Sequence, residues 1–217
     1  MQISPELQHA LQDASRMLSG AGNEWLLGGS CGLLLQHVHL DQSPNDIDIY
    51  ADRDSVLAFH EALVDCCVDG PLYSETAQYR SLLSHYQLNA YQMELVGGFS
   101  VRTEGSLYEV EIRRLLYPAA VEIQLGSHKL LLMPLAHELL FNVLRSRADR
   151  YEAIATEMRK ELNTHLPLMV QLIESNRLSN DLIAELSRLL ESPALLKYCG
   201  VIEGNASAWS EGEANGL

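Results

Sequence analysis

The sequence predicts an α/β (α+β) fold: a mixed sheet flanked by helices, followed by a helical C-terminal part. Three observations carry this. Up to about residue 133, short segments of period-two alternation are interleaved with segments of helical apolar spacing. After Pro134 the alternation stops and helical spacing takes over. Apolar residues make up 47% of the 217, enough for a real core. The expected organisation is an α/β domain with an N-terminal helix over 1–133, a helical part over 134–202, and a flexible tail over 203–217, where the chain is polar, acidic and glycine-rich.

The first helix opens on Ser4-Pro5-Glu6, which combines a capping hydroxyl, a preset φ and an acidic first turn. Leu7, Ala10, Leu11, Ala14 and Met17 supply its apolar face, and Gly20 ends it. Glu24 to Leu27 reads as a short strand breaking at Gly28-Gly29, and Gly32 to Val38 as a buried helix. After a turn-rich loop from Asp41 to Asn45 comes DIDIY, residues 46 to 50, whose alternation makes a strand with both aspartates on one face. Asp52 to Asp69 fits a helix and Pro71 to Gln78 a loop. Tyr79 to Leu88 and Tyr91 to Val96 form a hairpin ended by Gly97-Gly98. Further strands are expected at Tyr108 to Ile112, Ala120 to Gln124 and Lys129 to Leu132. From Leu135 to about Tyr198 the pattern is helical, with breaks near Pro167, Asn176 to Asn180, and Pro193.

Composition excludes several function classes. With 29 acidic against 15 basic side chains, the net charge of −14 repels a phosphate backbone, so no extensive nucleic-acid surface is expected. No apolar run approaches the roughly 18 residues that span a bilayer, and the polar start lacks a secretory pattern, so a cytoplasmic protein is expected. Cys31, Cys66, Cys67 and Cys199 form no CxxC pair and read as free thiols. The absence of HExxH, GxSxG and GxxxxGK[ST] patterns argues against a zincin, a serine hydrolase and a P-loop NTPase. Arg113-Arg114 reads as a surface pair, and the stripe of Leu182, Ile183, Leu186, Leu189 and Leu190 as helix-packing surface.

Three features line up as a candidate site. Gly28-Gly29-Ser30 lies between a strand and a helix, where backbone amides and a hydroxyl can face an anion. Asp46 and Asp48 share one strand face and can share a hard cation such as Mg²⁺. Glu94 is a lone acid in an apolar strand; beside the aspartates it completes a carboxylate set suited to two-metal phosphoryl transfer. Each has an ordinary reading when taken alone: a tight turn, a solvated strand edge, a solvent-facing acid.

The string WLLGGSCGLLLQHVHLDQSPNDIDIY, with Glu94 in MELVGG, resembles the signature of the DNA polymerase beta-like nucleotidyltransferase superfamily. That resemblance implies that Gly28, Gly29 and Ser30 bind the phosphates of a nucleoside triphosphate, while Asp46, Asp48 and Glu94 hold Mg²⁺ or Mn²⁺ and serve catalysis. It implies transfer of a nucleoside monophosphate to an acceptor hydroxyl on a small molecule, protein or RNA end. HELLFNVLRSRADRYE resembles the later helix of the smaller bacterial branches, which makes Arg145 and Arg147 nucleotide-binding candidates. Asn142 stands roughly where that motif often has a lysine, so triphosphate binding has one ammonium fewer. The alternative is a non-catalytic nucleotide-binding or antitoxin-like interaction protein on the same fold.

Overall fold

The computed structural model describes residues 3–22 and 24–200, so the tail expected over 203–217 lies outside the described residues. Eight strands form one mixed sheet: β1 (Trp25–Gly28), β2 (Asp46–Ala51), β3 (Cys67–Glu75), β4 (Tyr79–Leu88), β5 (Tyr91–Thr103), β6 (Ser106–Glu109), β7 (Val121–Leu125) and β8 (His128–Leu132). Their order is β3-β4-β5-β2-β1-β8-β7, with β6 paired to the far half of β5. The helices are α1 (Pro5–Ser19), α2 (Gly29–Leu35), α3 (Val56–Ala62), α4 (Leu135–Leu144), α5 (Ala148–Lys160), α6 (Leu162–Ser175) and α7 (Asn180–Leu189). None of the described helices is long and apolar enough to cross a membrane.

Strand alternation sorts the sheet into two faces. Ile47 and Ile49 of β2, with Met93 and Leu95 of β5, point to a core closed by Leu7 and Leu11 of α1 and Phe59 of α3. Tyr50 and Val96 point the other way, to a larger core filled by Leu139 and Leu140 of α4, Ile154 and Met158 of α5, and residues of α6 and α7. The expected start of α1 is seen directly, since Ser4 Oγ accepts the amide of Leu7 at 3.1 Å. The Leu182–Leu190 stripe is buried against this second core, which makes it packing surface.

Several sequence expectations need correction. No helix runs from Asp52 to Asp69: a 3₁₀ turn at Arg53–Ser55 leads into α3, a second at Val64–Cys66 leaves it, and β3 begins at Cys67. The supposed loop at Pro71 lies largely within β3. That strand is an edge, mostly exposed, so it shows no clean alternation, and an edge tolerates proline because its amide side can face solvent. Nor does Gly97-Gly98 end its strand. β5 runs through to Thr103, and the glycines mark where it leaves β2 for β6; a Cβ on Gly97 would sit 2.0 Å from Val56 Cγ2. Strand β6 stops at Glu109, and Ile112 opens a π-helical turn instead. Pro167 lies inside α6, where burial of Leu168, Met169, Leu172 and Ile173 outweighs one lost backbone bond. The break falls instead at Glu161. α2 begins at Gly29 itself and ends where His37 takes φ 64.

Candidate active site

The aspartates of β2 emerge on the α4 side of the sheet because Ile47 and Ile49 claim the other face. β2 and β5 run parallel in a register that sets Asp48 opposite Glu94 and Asp46 opposite Gln92. The three acids expected to act together are therefore neighbours across two adjacent strands. On the other side of β2, Gly28 of β1 pairs with Asp48, which delivers the glycine turn to the same place. All three acids, Gly29 and Ser30 line one cavity of about 550 Å³.

Electrostatic strain is concentrated on Asp48. Burial, reinforced by the charges of Asp46 and Glu94, pushes its carboxyl up to about 7. Glu94 faces His85 of β4, whose Nε2 lies 3.6 Å from Glu94 Oε1; the other ring nitrogen of His85 contacts Asp69 at 2.9 Å. Among the described residues no three His, Cys, Asp or Glu side chains are gathered as an ion-holding group as they stand.

The glycines serve a purpose that the sequence hid. Gly29 has φ +58, and a Cβ there would lie 1.8 Å from Asp48 Oδ2; a Cβ on Gly28 would lie 2.7 Å from the Tyr50 ring and 3.0 Å from Glu138 Oε1. The turn is thus sandwiched between Asp48 and Glu138. Glu138, on α4, accepts the Gly29 amide at 2.9 Å, so one of the amides expected to face phosphate is already engaged. It is 2% exposed, and burial pushes its carboxyl up to about 8. Its backbone carbonyl also accepts from Asn142 Nδ2 at 2.8 Å.

No family model matches the chain, and no curated protein matches it. Among solved structures, TM1012 of Thermotoga maritima, a protein proposed to be a nucleotidyltransferase, superposes with a TM-score of 0.59 at 21% identity, over 75% of this chain and 96% of that one. The two chains share a fold. The antibiotic-resistance factor ANT(2'')-Ia gives a TM-score of 0.47 at 9% identity, over 78% of this chain and 92% of that one.

Within this fold, the arginines expected on one helix occupy its end and the next helix's start. Arg145 caps α4 and Arg147 precedes α5, with Ser146 between them at φ 56. Both reach the cavity, as does Arg150 of α5, for which the sequence carries no local signal. Arg147 is held by Asp149 at 2.8 Å, whereas the Arg145 guanidinium lies over the Phe141 ring, 4.8 Å from its centroid. Glu138 was missed because an acid three residues into an apolar helix reads as first-turn capping chemistry. Its distance in sequence from Gly29 left no local signal. Outside the cavity, Arg113 is bonded to Glu24 and Asp54, and Arg114 to Glu111, so that pair is a surface feature.

Proposed function

We propose that this chain transfers a nucleoside monophosphate from a nucleoside triphosphate to an acceptor hydroxyl and releases pyrophosphate. The place of action proposed is the cytoplasm. The observation that carries the reading is the line-up of Asp46, Asp48 and Glu94 on one sheet face, at the floor of a cavity that Arg145, Arg147 and Arg150 also line. A carboxylate floor and a guanidinium wall are the two electrostatic halves that a metal–triphosphate requires.

The donor set suits Mg²⁺ or Mn²⁺, because it is all carboxylate oxygen and because Asp46 and Glu94 load negative charge onto Asp48 that a cation would relieve. Such an ion, when bound, supplies positive charge against the phosphate oxygens and eases ionisation of the attacking hydroxyl. The chain's own groups do the rest. Asp46, Asp48 and Glu94 would turn their side chains to hold the ion. Ser30 donates its hydroxyl to a phosphate oxygen, and Arg145 and Arg147 offset the triphosphate charge. Glu94, beside His85, takes the proton of the acceptor hydroxyl.

A second reading, nucleotide binding without turnover, is favoured by one specific observation: the Glu138 carboxyl occupies the Gly29 amide, and Asn142 stands where the resembling motif often has a lysine. Incubation with each α-labelled nucleoside triphosphate and Mg²⁺ separates the two. Label on an acceptor or on the chain, lost in Asp46→Asn/Asp48→Asn, supports transfer. Binding without any labelling supports the second reading, and Mg²⁺-dependent binding that survives the double change removes the site itself.

A further inference from the structure

Beyond the acids, the lining of the cavity turns aromatic. On β4, Tyr79, Ser81 and Leu83 face the same side of the sheet as Glu94, Val96 and Phe99 of β5. Tyr79 and Phe99 stack with centroids 6.0 Å apart and planes 20° apart. Phe141 of α4 meets Phe99 edge-on at 5.4 Å. The exposed Arg145 guanidinium closes this wall, 4.8 Å from the Phe141 centroid and 5.9 Å from that of Tyr79. These four side chains form a continuous wall of π-faces and one planar cation, with no carboxylate among them.

We propose that the wall of Tyr79, Phe99, Phe141 and Arg145 is the seat of the donor's nucleobase, and that it selects a purine nucleoside triphosphate. The inference rests on the nucleotidyltransferase reading above and deepens it. Aromatic faces and a guanidinium both stack on a flat, neutral ring, and stacking strengthens with ring size, which favours the purine. Distance fits as well. Phe99 lies five residues beyond Glu94, so strand rise places the wall at most about 16 Å from the acids, and the irregularity near Gly97 shortens this. A nucleoside extended from its α-phosphate lies along that line. Arg145 joins the two, because it touches the aromatic wall and lines the cavity holding the acids. The ring on the wall therefore belongs to the molecule that carries the phosphates. Ser74, Thr76 and Ser81 line the same cavity with hydroxyls that both donate and accept, so the selection is for ring size rather than for adenine over guanine.

The test is calorimetric titration of the full chain, with Mg²⁺, by ATP, GTP, CTP, UTP and inorganic triphosphate, repeated on Tyr79→Ala and on the milder Phe99→Leu. Expected are tighter binding of ATP and GTP than of CTP and UTP, and a loss of about tenfold for the purine nucleotides in Tyr79→Ala. Inorganic triphosphate should stay within about twofold, a result that also shows the variant to be folded. Phe99→Leu should move the same way by less. The base seat is overturned, with the transfer reading intact, if inorganic triphosphate binds as tightly as ATP or if both weaken equally in Tyr79→Ala. Pyrimidine preference overturns it too. If no triphosphate compound binds the wild-type chain, both readings fall together.

Discussion

Glu138→Gln should make the protein more stable, and only at the higher pH values. The carboxyl is almost wholly buried and is pushed from 4.5 up to about 8, chiefly by burial and with a further push from Asp48. A folded-state value above the unfolded one means that the folded chain holds this proton more tightly. Stability is therefore undiminished below pH 4.5, falls as pH rises, and is lowest above about 8. The difference of 3.5 pH units corresponds to a ceiling of about 5 kcal/mol at 1.36 kcal/mol per unit. Glutamine keeps the oxygen that accepts the Gly29 amide, removes the charge, and puts an amide nitrogen in place of the oxygen that accepts from Asn142 Nδ2 at 3.4 Å. Urea unfolding of both proteins at pH 4.5 and pH 8.5 measures the effect. The variant should match wild type within about 1 kcal/mol at the lower pH and exceed it by about 2–5 kcal/mol at the higher. An equal difference at both values, or a less stable variant at pH 8.5, would refute the assignment of a strained buried acid.

Two further outcomes follow from the same geometry. Gly29→Ala places a methyl 1.8 Å from Asp48 Oδ2 and forces alanine to φ +58, a backbone cost of about 1–2 kcal/mol. Transfer activity should drop at least a hundredfold while the melting temperature falls only modestly; activity within threefold of wild type would show that Asp48's position is unimportant. His137 is fully buried, its Nδ1 lies 2.6 Å from the Tyr108 hydroxyl, and burial depresses it to about 3. The unfolded chain takes up that proton first, so stability drains away as pH falls below 6.5, by about 3 kcal/mol between 6.5 and 4. His137→Leu should unfold more easily at pH 7, because Tyr108 loses its partner, but should lack this component of acid sensitivity; parallel stability curves for the two proteins would contradict it.

Much of the site was legible because its signals are local. DIDIY places two acids on one face by the period of a strand alone, and the core-facing isoleucines secure which face. Arg145 and Arg147 both line the cavity, although the helix expected to carry them breaks between them. Local patterning failed where exposure removed the pattern, as in edge strand β3, and where glycines served the packing of other chain segments, as at Gly97.

From sequence alone came the acid-x-acid strand, the glycine turn before α2, and the change from strand to helix patterning near Pro134, because each depends on residues within one element's reach. Only the tertiary structure decided that Glu94 stands opposite Asp48, since parallel register is set by how two strands bury their shared face. It also decided that the glycines make room for Asp48 and Glu138 rather than leaving every amide free. The aromatic wall belongs to the same class of fact: Tyr79, Phe99 and Phe141 meet because one β-hairpin and one helix close over the same face, and no spacing in the chain encodes that meeting.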